Sequence, residues 1–394
     1  MANEVVLGID FGTSYTSAGA LVADRVELVQ DCGDNVVPSV VYVPPRGGME
    51  VGRLASMRQM TDPAGVVRSV KRLLGVAAGS PEIKRYAASA PFRIESAGER
   101  VTLALRSGPC APEQIAGAIL QRIRELAERR FGGRVTKAVI TMCACPPVGY
   151  RDAITRAAKI AGLDVLEVVA EPVAGALALG LHGEAAERKL LVCDFGGGTF
   201  DVSAVVQSGL KFTAVSTFGD PYLGGDDLDA ALAEGVAGMV VRATGYDMHK
   251  DAVRWGELAM RCEAAKRQLS NAHAAPLTMR DACLHAGSAR DVEVILDRAW
   301  AETQWEGLFE RARSVIDETL RRASWSTAQV DRVALIGGSS LVPRFRKMLC
   351  EMIPSDRVIA ARDADVAVAV GATLLTARFA AQRRPVPVPE LAAY

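Results

Sequence analysis

The sequence predicts an α/β protein made of two duplicated lobes, and three observations carry that prediction. Short apolar strands alternate with helix-patterned segments along the whole chain. The turn Asp10-Phe-Gly-Thr-Ser14 lies between strands near the start, and Asp194-Phe-Gly-Gly-Gly-Thr199 repeats it at the start of the second half. An internal period that long suits duplicated lobes and not a solenoid. The length, 394 residues, exceeds what one small core requires.

In chain order, residues 4–9 and 16–23 read as strands around a turn of Gly, Thr and Ser. Val36 to Val43 is a further strand, broken by Pro38. Ile115, Ile119, Ile123 and Leu126 recur at helical spacing, so 112–131 is a helix that Gly132-Gly133 stops. Val135 to Met142 is a strand, followed by helices at 150–161 and 172–181. The second unit opens at Lys189, with a buried strand at 190–194, a Gly-rich turn, and another strand at 201–206. Helices follow at 226–242 and 251–270, then a strand-rich excursion over 273–294 and a long helix over 301–323. A strand at 333–336, a helix at 343–352 and an Ala-rich helix at 365–380 complete the pattern. The residues after Gln382 are punctuated by Pro and cannot be helical.

Composition narrows the function. Hydrophobic residues make up 49% and charged residues 23%, the balance of a globular chain and not a disordered one. Lys+Arg and Asp+Glu are equal at 46 each, which gives no basic surface for nucleic acid or an anionic membrane. The start lacks the basic region of a signal peptide, and no apolar stretch reaches bilayer length. Eight cysteines are scattered without a Cys-x-x-Cys pair, and the four histidines do not gather around them. They read as reduced thiols of a cytoplasmic protein.

The two Asp-x-Gly-Thr turns carry the chemistry. Glycine lets backbone N–H groups approach a phosphate, and the Thr and Ser hydroxyls add donors. An aspartate facing the same spot cannot bind phosphate directly and so implies a divalent cation. Two such turns would clamp a polyphosphate from both sides, with Asp10 and Asp194 sharing the metal. The P-loop, dinucleotide-binding and nucleophile-elbow signatures are all missing from the sequence. Gly337-Gly-Ser-Ser340 follows a strand and precedes a helix, a setting for an anion or ribose contact or for an ordinary turn. Glu263, Lys266, Arg267 and Ser270 fall at i, i+3, i+4 and i+7 and share one helix face, which on spacing alone is a solvated face or the wall of a base pocket.

Taken together, these motifs resemble the ATPase domain of the seventy-kilodalton heat-shock (heat shock protein 70) chaperone family. The resemblance covers almost the whole chain in order. It rests on Ile9 to Tyr15, Val70-Lys-Arg-Leu-Leu-Gly75, Ile160-Ala-Gly-Leu-Asp-Val, Glu171-Pro-Val-Ala-Gly-Ala, Asp194 to Asp201, Gly224-Gly-Asp-Asp-Leu-Asp, Glu263 to Ser270 and Gly337-Gly-Ser-Ser. It implies an actin-like ATPase fold, with two ribonuclease H-like lobes in four subdomains around an ATP cleft. Lobe I would span 1–186 with an outer part at about 38–111, and lobe II 187–381 with an outer part at about 224–301. Residues 382–394 would be a tail. Carried over position by position, Asp10 and Asp194 would hold Mg²⁺ through waters. Gly12, Thr13, Ser14 and the backbone of Gly196, Gly197, Gly198 and Thr199 would cradle phosphates. Lys71 would reach the γ-phosphate and orient the attacking water. Glu171 and Asp201 would complete the polar shell, and Asp201 and Tyr15 are the candidates for a potassium site. Gly224, Gly225, Glu263, Lys266, Arg267, Ser270, Gly337, Gly338, Ser339 and Asp365 would hold the rest of the ATP or ADP.

The sequence departs from the family pattern in three places. Leu341 stands where the family has an arginine along the adenine, which implies weaker nucleotide binding. Cys143 replaces a proline thought to relay nucleotide state, although Arg151 is retained. The tail does not resemble the linker to the family's peptide-binding domain, so direct peptide chaperoning is the weakest inheritance. The expectation is a slow, chaperone-related ATPase whose lobes open and close with nucleotide and which acts with co-chaperone or client proteins. A nucleotide-sensing scaffold with little turnover is the alternative, ahead of a small-molecule kinase of the same superfold or a polymerising actin relative.

Overall fold

In the computed structural model the described residues are 5–379, apart from 99, 182–186, 210, 286 and 362. The expected lobe junction at 186 and the tail at 382–394 lie outside them. Two mixed sheets share one topology. In the first, Arg25–Leu28, Tyr15–Val22, Val5–Phe11, Val135–Met142 and Asp164–Ala170 lie side by side in that order, with Val37–Pro38 paired off the main path. In the second the order is Lys211–Asp220, Phe200–Ser208, Arg188–Phe195, Arg332–Ile336 and Val358–Ala360. In each, the first three strands in sequence are antiparallel and the last two run parallel to the first. The duplication read from two short turns is thus a duplication of whole sheets.

The elements form where periodicity places them. Ile115, Ile119, Ile123 and Leu126 line the buried stripe of helix Pro112–Phe131, which ends at Gly132 in a left-handed conformation, φ 68°. Leu7, Ile9 and Phe11 alternate into the core of the first sheet. The strand expected over 36–43 is divided. Val37–Pro38 pairs with the inner sheet, whereas Val40–Tyr42 joins an outer three-stranded sheet with Glu50–Val51 and Val66–Arg68. The excursion at 273–294 is a hairpin of Ala274–His285 and Ser288–Asp297. Helix Ala367–Leu375 is shorter than the expected 365–380, giving way to a tighter turn at Thr376–Phe379. Strands Asp164–Ala170 and Lys211–Asp220 were not anticipated. The second alternates between exposed and half-buried positions and has little apolar signal to read. Among the described residues no helix is long and apolar enough to cross a membrane.

The halves are joined by an exchange of helices. Ala367–Leu375, which follows the second sheet in sequence, packs on strands Val5–Phe11 and Tyr15–Val22 of the first and crosses helix Glu171–Ala178. Glu171–Ala178 in turn packs on strand Arg188–Phe195. The crossing is tight because both sides are small. A Cβ on Gly371 would overlap the Ala174 carbonyl, and one on Gly8 would overlap the Thr373 backbone. Gly371→Ala is therefore expected to destabilise the protein by about 1–3 kcal/mol in denaturant titration. Gly307→Ala, on an exposed helix face with nothing near its Cβ, should stabilise it by roughly 0.5–1 kcal/mol.

Candidate functional site

Each Asp-x-Gly-Thr motif is the hairpin turn between the first two strands of its sheet. Asp10 pairs with Ser17 in register, and Asp194 pairs with Asp201, so two carboxylates stand side by side across one ladder. The turns meet face to face across the halves. A Cβ on Gly197 would collide with Ser14 Oγ, and one on Gly198 would lie 2.6 Å from Thr13 Cγ2. Ser14 Oγ donates to Asp226 Oδ2 at 2.9 Å, although 212 residues separate them. The second turn is backed by Gly224, Gly225 and Asp226, whose N–H groups at 225 and 226 donate to the carbonyls of Gly196 and Gly197 at 3.0 and 2.7 Å. Ser339 Oγ donates to Gly196 O at 2.7 Å.

Above these turns lies a cleft of about 540 Å³. Every expected site residue lines it except two. Gly224 sits immediately behind Gly197 and Gly198, and Asp201 sits next to Asp194 on the neighbouring strand. The sequence reading did not single out Asp34, Val36, Asp226, Asn271, Val342, Ala364 and Val368, which also line the cleft. Asp226 had a signal, the Gly-Gly-Asp-Asp turn; Asp34 had none.

At the floor, Lys71 Nζ donates to Glu171 Oε1 at 2.6 Å, with both side chains about nine-tenths buried. Lys71 comes from the short turn Val70–Leu73, and Glu171 opens helix Glu171–Ala178, where the helix dipole supports its charge. Burial, then the charge of Glu171, pushes the Asp10 carboxyl up to about 7, against Lys71 and a 3.0 Å hydrogen bond from Thr141. Burial and Glu171 likewise push Asp201 up to about 7, and Thr199 donates to it. Asp194 is raised by burial together with Glu171, Asp10 and Asp201. Burial works against the charge on Lys71, but Glu171, Tyr150, Cys143 and Asp10 outweigh it and hold the ammonium well above its ordinary value. The floor is thus rich in oxygen donors around a single ammonium. Among the described residues no three His, Cys, Asp or Glu side chains gather as direct ligands of a metal.

The far wall behaves less as its spacing implied. Glu263, Lys266, Arg267 and Ser270 all line the cleft, but Lys266 turns inward. Its ammonium donates to Gly225 O and Asp229 Oδ2, both at 2.8 Å, in a buried pair that ties the helix to the glycine turn. Tyr15, expected near potassium, donates its hydroxyl to Glu263, and Arg267 lies 5.2 Å from the centre of its ring. Leu341 is 41% exposed in the cleft. A second bridge between the halves went unread in the sequence. Tyr222 is held between Arg85, 3.5 Å from its ring centre, and Arg72 at 4.7 Å, and Arg72 Nη2 donates to Gly198 O at 2.6 Å.

Paired sheets of one topology, exchanged helices and a glycine-walled cleft define the actin-like fold. A family model described as Hsp70 protein matches residues 6–386. The heat shock 70 kDa protein BIP3 of Oryza sativa subsp. japonica is 34% identical over 376 residues, 94% of this chain and 56% of the relative. The chaperone protein dnaK of Cyanidioschyzon merolae is 32% identical over 376 residues, 94% and 61% of the two chains. The mitochondrial heat shock 70 kDa protein of Solanum tuberosum is 32% identical over 378 residues, 95% and 54%. The chain belongs to the Hsp70 family, and it spans a little over half the length of these relatives.

The raised carboxyls make stability depend on pH. Asp10, Asp201 and Asp229 have folded-state values near 7 against 3.8 unfolded, so the folded state binds the extra protons in between. Their contribution is present at low pH and is lost as pH rises through 7. The melting temperature of the nucleotide-free protein should therefore fall between about pH 5 and 7.5, and Asp10→Asn should flatten that slope.

Proposed function

We propose that this chain binds ATP and ADP and hydrolyses ATP slowly, with its two lobes closing and opening as nucleotide binds and leaves. The observation that supports this best is the meeting of two glycine turns from opposite halves over one floor of Asp10, Asp194, Glu171 and Lys71. In this reading the turn N–H groups and the hydroxyls of Thr13, Ser14 and Thr199 hold the phosphates. Lys71 lies at the γ-phosphate end and steadies the attacking water, so hydrolysis proceeds by positioning and charge neutralisation without a covalent intermediate. Asp10 and Asp194 would hold Mg²⁺ through its waters, with Asp201 behind them. Bound there, the ion would neutralise phosphate charge, and an oxygen-only floor suits a hard cation. Asp201 and Tyr15 remain the proposed groups for K⁺, since a hydroxyl that donates its hydrogen to Glu263 keeps its oxygen lone pairs for a cation.

Base and ribose would lie between helix Ala252–Leu269 and the Gly337 turn, with Arg267, Ser270, Gly338 and Asp365 the groups turned to the cleft. Opening would separate the contacts of Tyr222 with Arg85 and Arg72 and the Ser14–Asp226 bond, which are among those that join the halves. The work done by this motion would be chaperone-related, through a co-chaperone or client protein. The relatives are named as heat-shock proteins and a chaperone. All eight cysteines are unpaired, which supports a cytoplasmic location. We divide the chain as lobes 1–186 and 187–381 with outer parts near 38–111 and 224–301.

Steady-state ATP hydrolysis with Mg²⁺ and K⁺ tests the reading. Slow turnover is expected, with a drop of at least about 100-fold in Lys71→Ala and nucleotide still bound. Binding without turnover in either protein would instead establish the nucleotide-sensing scaffold. Leu341 favours that second reading to the extent that it weakens binding. Restoring a guanidinium with Leu341→Arg should tighten ATP binding about 3- to 30-fold by calorimetry, and an unchanged affinity would remove Leu341 from the argument.

A further inference from the structure

The three glycine carbonyls of the second turn are not all held by the same half of the protein. Gly196 O accepts from the Gly225 N–H at 3.0 Å and from Ser339 Oγ at 2.7 Å. Gly197 O accepts from the Asp226 N–H at 2.7 Å. Those donors belong to the second half, like the turn itself. Gly198 O accepts instead from Arg72 Nη2 at 2.6 Å, a donor 126 residues away in the first half. Arg72 follows Lys71 in the short turn Val70–Leu73, so one segment carries both side chains. The buried Nε of Arg72 has no hydrogen-bond partner among the described residues. Its guanidinium is placed by the Gly198 carbonyl and by the ring of Tyr222, whose centre is 4.7 Å away. Tyr222 is itself fixed. Arg85 lies 3.5 Å from its ring centre, and Arg311 Nη2 donates to Tyr222 O at 2.9 Å and to Asp220 Oδ2 at 2.6 Å. The platform under Arg72 and the backbone donors to Gly196 and Gly197 thus lie on one stretch, residues 222–226.

A peptide unit is planar and trans, so its C=O and N–H point in opposite directions. Holding Gly198 O therefore fixes the direction of the Thr199 N–H, and Thr199 lines the cleft. Without such a hold the peptide would turn easily, because glycine leaves the backbone before it wide freedom. We propose that Arg72 is a positioning residue for the γ-phosphate end of the site. Seated on Tyr222, its guanidinium fixes the Gly198–Thr199 peptide from across the cleft and sets the Thr199 N–H to donate to the terminal phosphate. This role deepens the nucleotide reading above and rests on it. Opening of the halves withdraws Lys71 and Arg72 together, so the turn is complete only when the cleft is closed. ADP has no group at that end and is indifferent to the setting of this one peptide.

The experiment compares ATP and ADP binding by calorimetry, with Mg²⁺, in the wild type, Arg72→Met, Tyr222→Ala and Tyr222→Phe. Arg72→Met should weaken ATP about 5- to 10-fold and ADP less than about 2-fold. Tyr222→Ala should reproduce that split and add little in the Arg72→Met background, whereas Tyr222→Phe, which keeps the ring, should preserve the wild-type ratio of affinities. Equal losses for ATP and ADP, the mark of general packing damage, would overturn the proposal. An unchanged ratio in Arg72→Met would overturn it as well. Where the wild type turns ATP over, kcat should also fall about 10-fold in Arg72→Met. A wild type that binds both nucleotides without turnover removes hydrolysis and leaves the affinity ratio to decide on Arg72. A wild type that binds neither removes the nucleotide reading and the role of Arg72 with it.

Discussion

Carboxylates repel one another and resist leaving water, yet Asp10, Asp194, Asp201 and Glu171 are brought together beneath one cleft with Lys71 as their near cation. Burial, reinforced by the charge of Glu171, raises the pKa of three of them. A floor of this kind is not a source of stability. It is held by the strands around it: Asp10 and Asp194 each lie one residue before the end of the first strand of a sheet, flanked by the buried Ile9 and Phe11 and by Cys193 and Phe195. The two sheets supply the hydrophobic burial, and the ligand-facing groups occupy the edge where that burial stops. Most other features of the site follow from this constraint. Lys71 must be buried to balance the acids, Thr141 must donate to Asp10, and the glycine turns must leave room for a charged ligand.

The fold was legible in the sequence wherever period and punctuation agree. Helix Pro112–Phe131 and strand Val135–Met142 lie where apolar spacing and a Gly-Gly stop put them, because each buries one clear stripe or face. Strand Lys211–Asp220 was not legible, since only Phe212 is buried and its other residues are exposed or half-buried, leaving no clear apolar face. The break at Pro38 was legible, but sending its two pieces to different sheets is a tertiary choice that no local pattern specifies.

The site divides in the same way. Turns whose chemistry is local, such as Asp10 to Ser14 and Asp194 to Thr199, announce themselves. Pairings across the halves do not. Ser14 meets Asp226, and Arg72 meets both Tyr222 and Gly198, over separations that leave no trace in spacing. Equal spacing also concealed unequal roles on helix Ala252–Leu269. Arg267 faces the cleft, whereas Lys266, one residue earlier, is spent inside the protein on Asp229. Family resemblance, and not spacing, directed attention to Lys71.

The crossing of Ala367–Leu375 with Glu171–Ala178 has a mechanical meaning. Gly371 and Ala174 touch backbone to backbone, and no charged side chain lies in the later helix. Such a joint resists pulling apart and sliding, because either would open a void, but it offers little hindrance to rotation about the point of contact. In the proposed opening and closing of the halves, it would serve as the fulcrum. A slight turn there would be magnified towards the rim, so that a change confined to a phosphate-sized space would be felt by something much larger that touches only the ends.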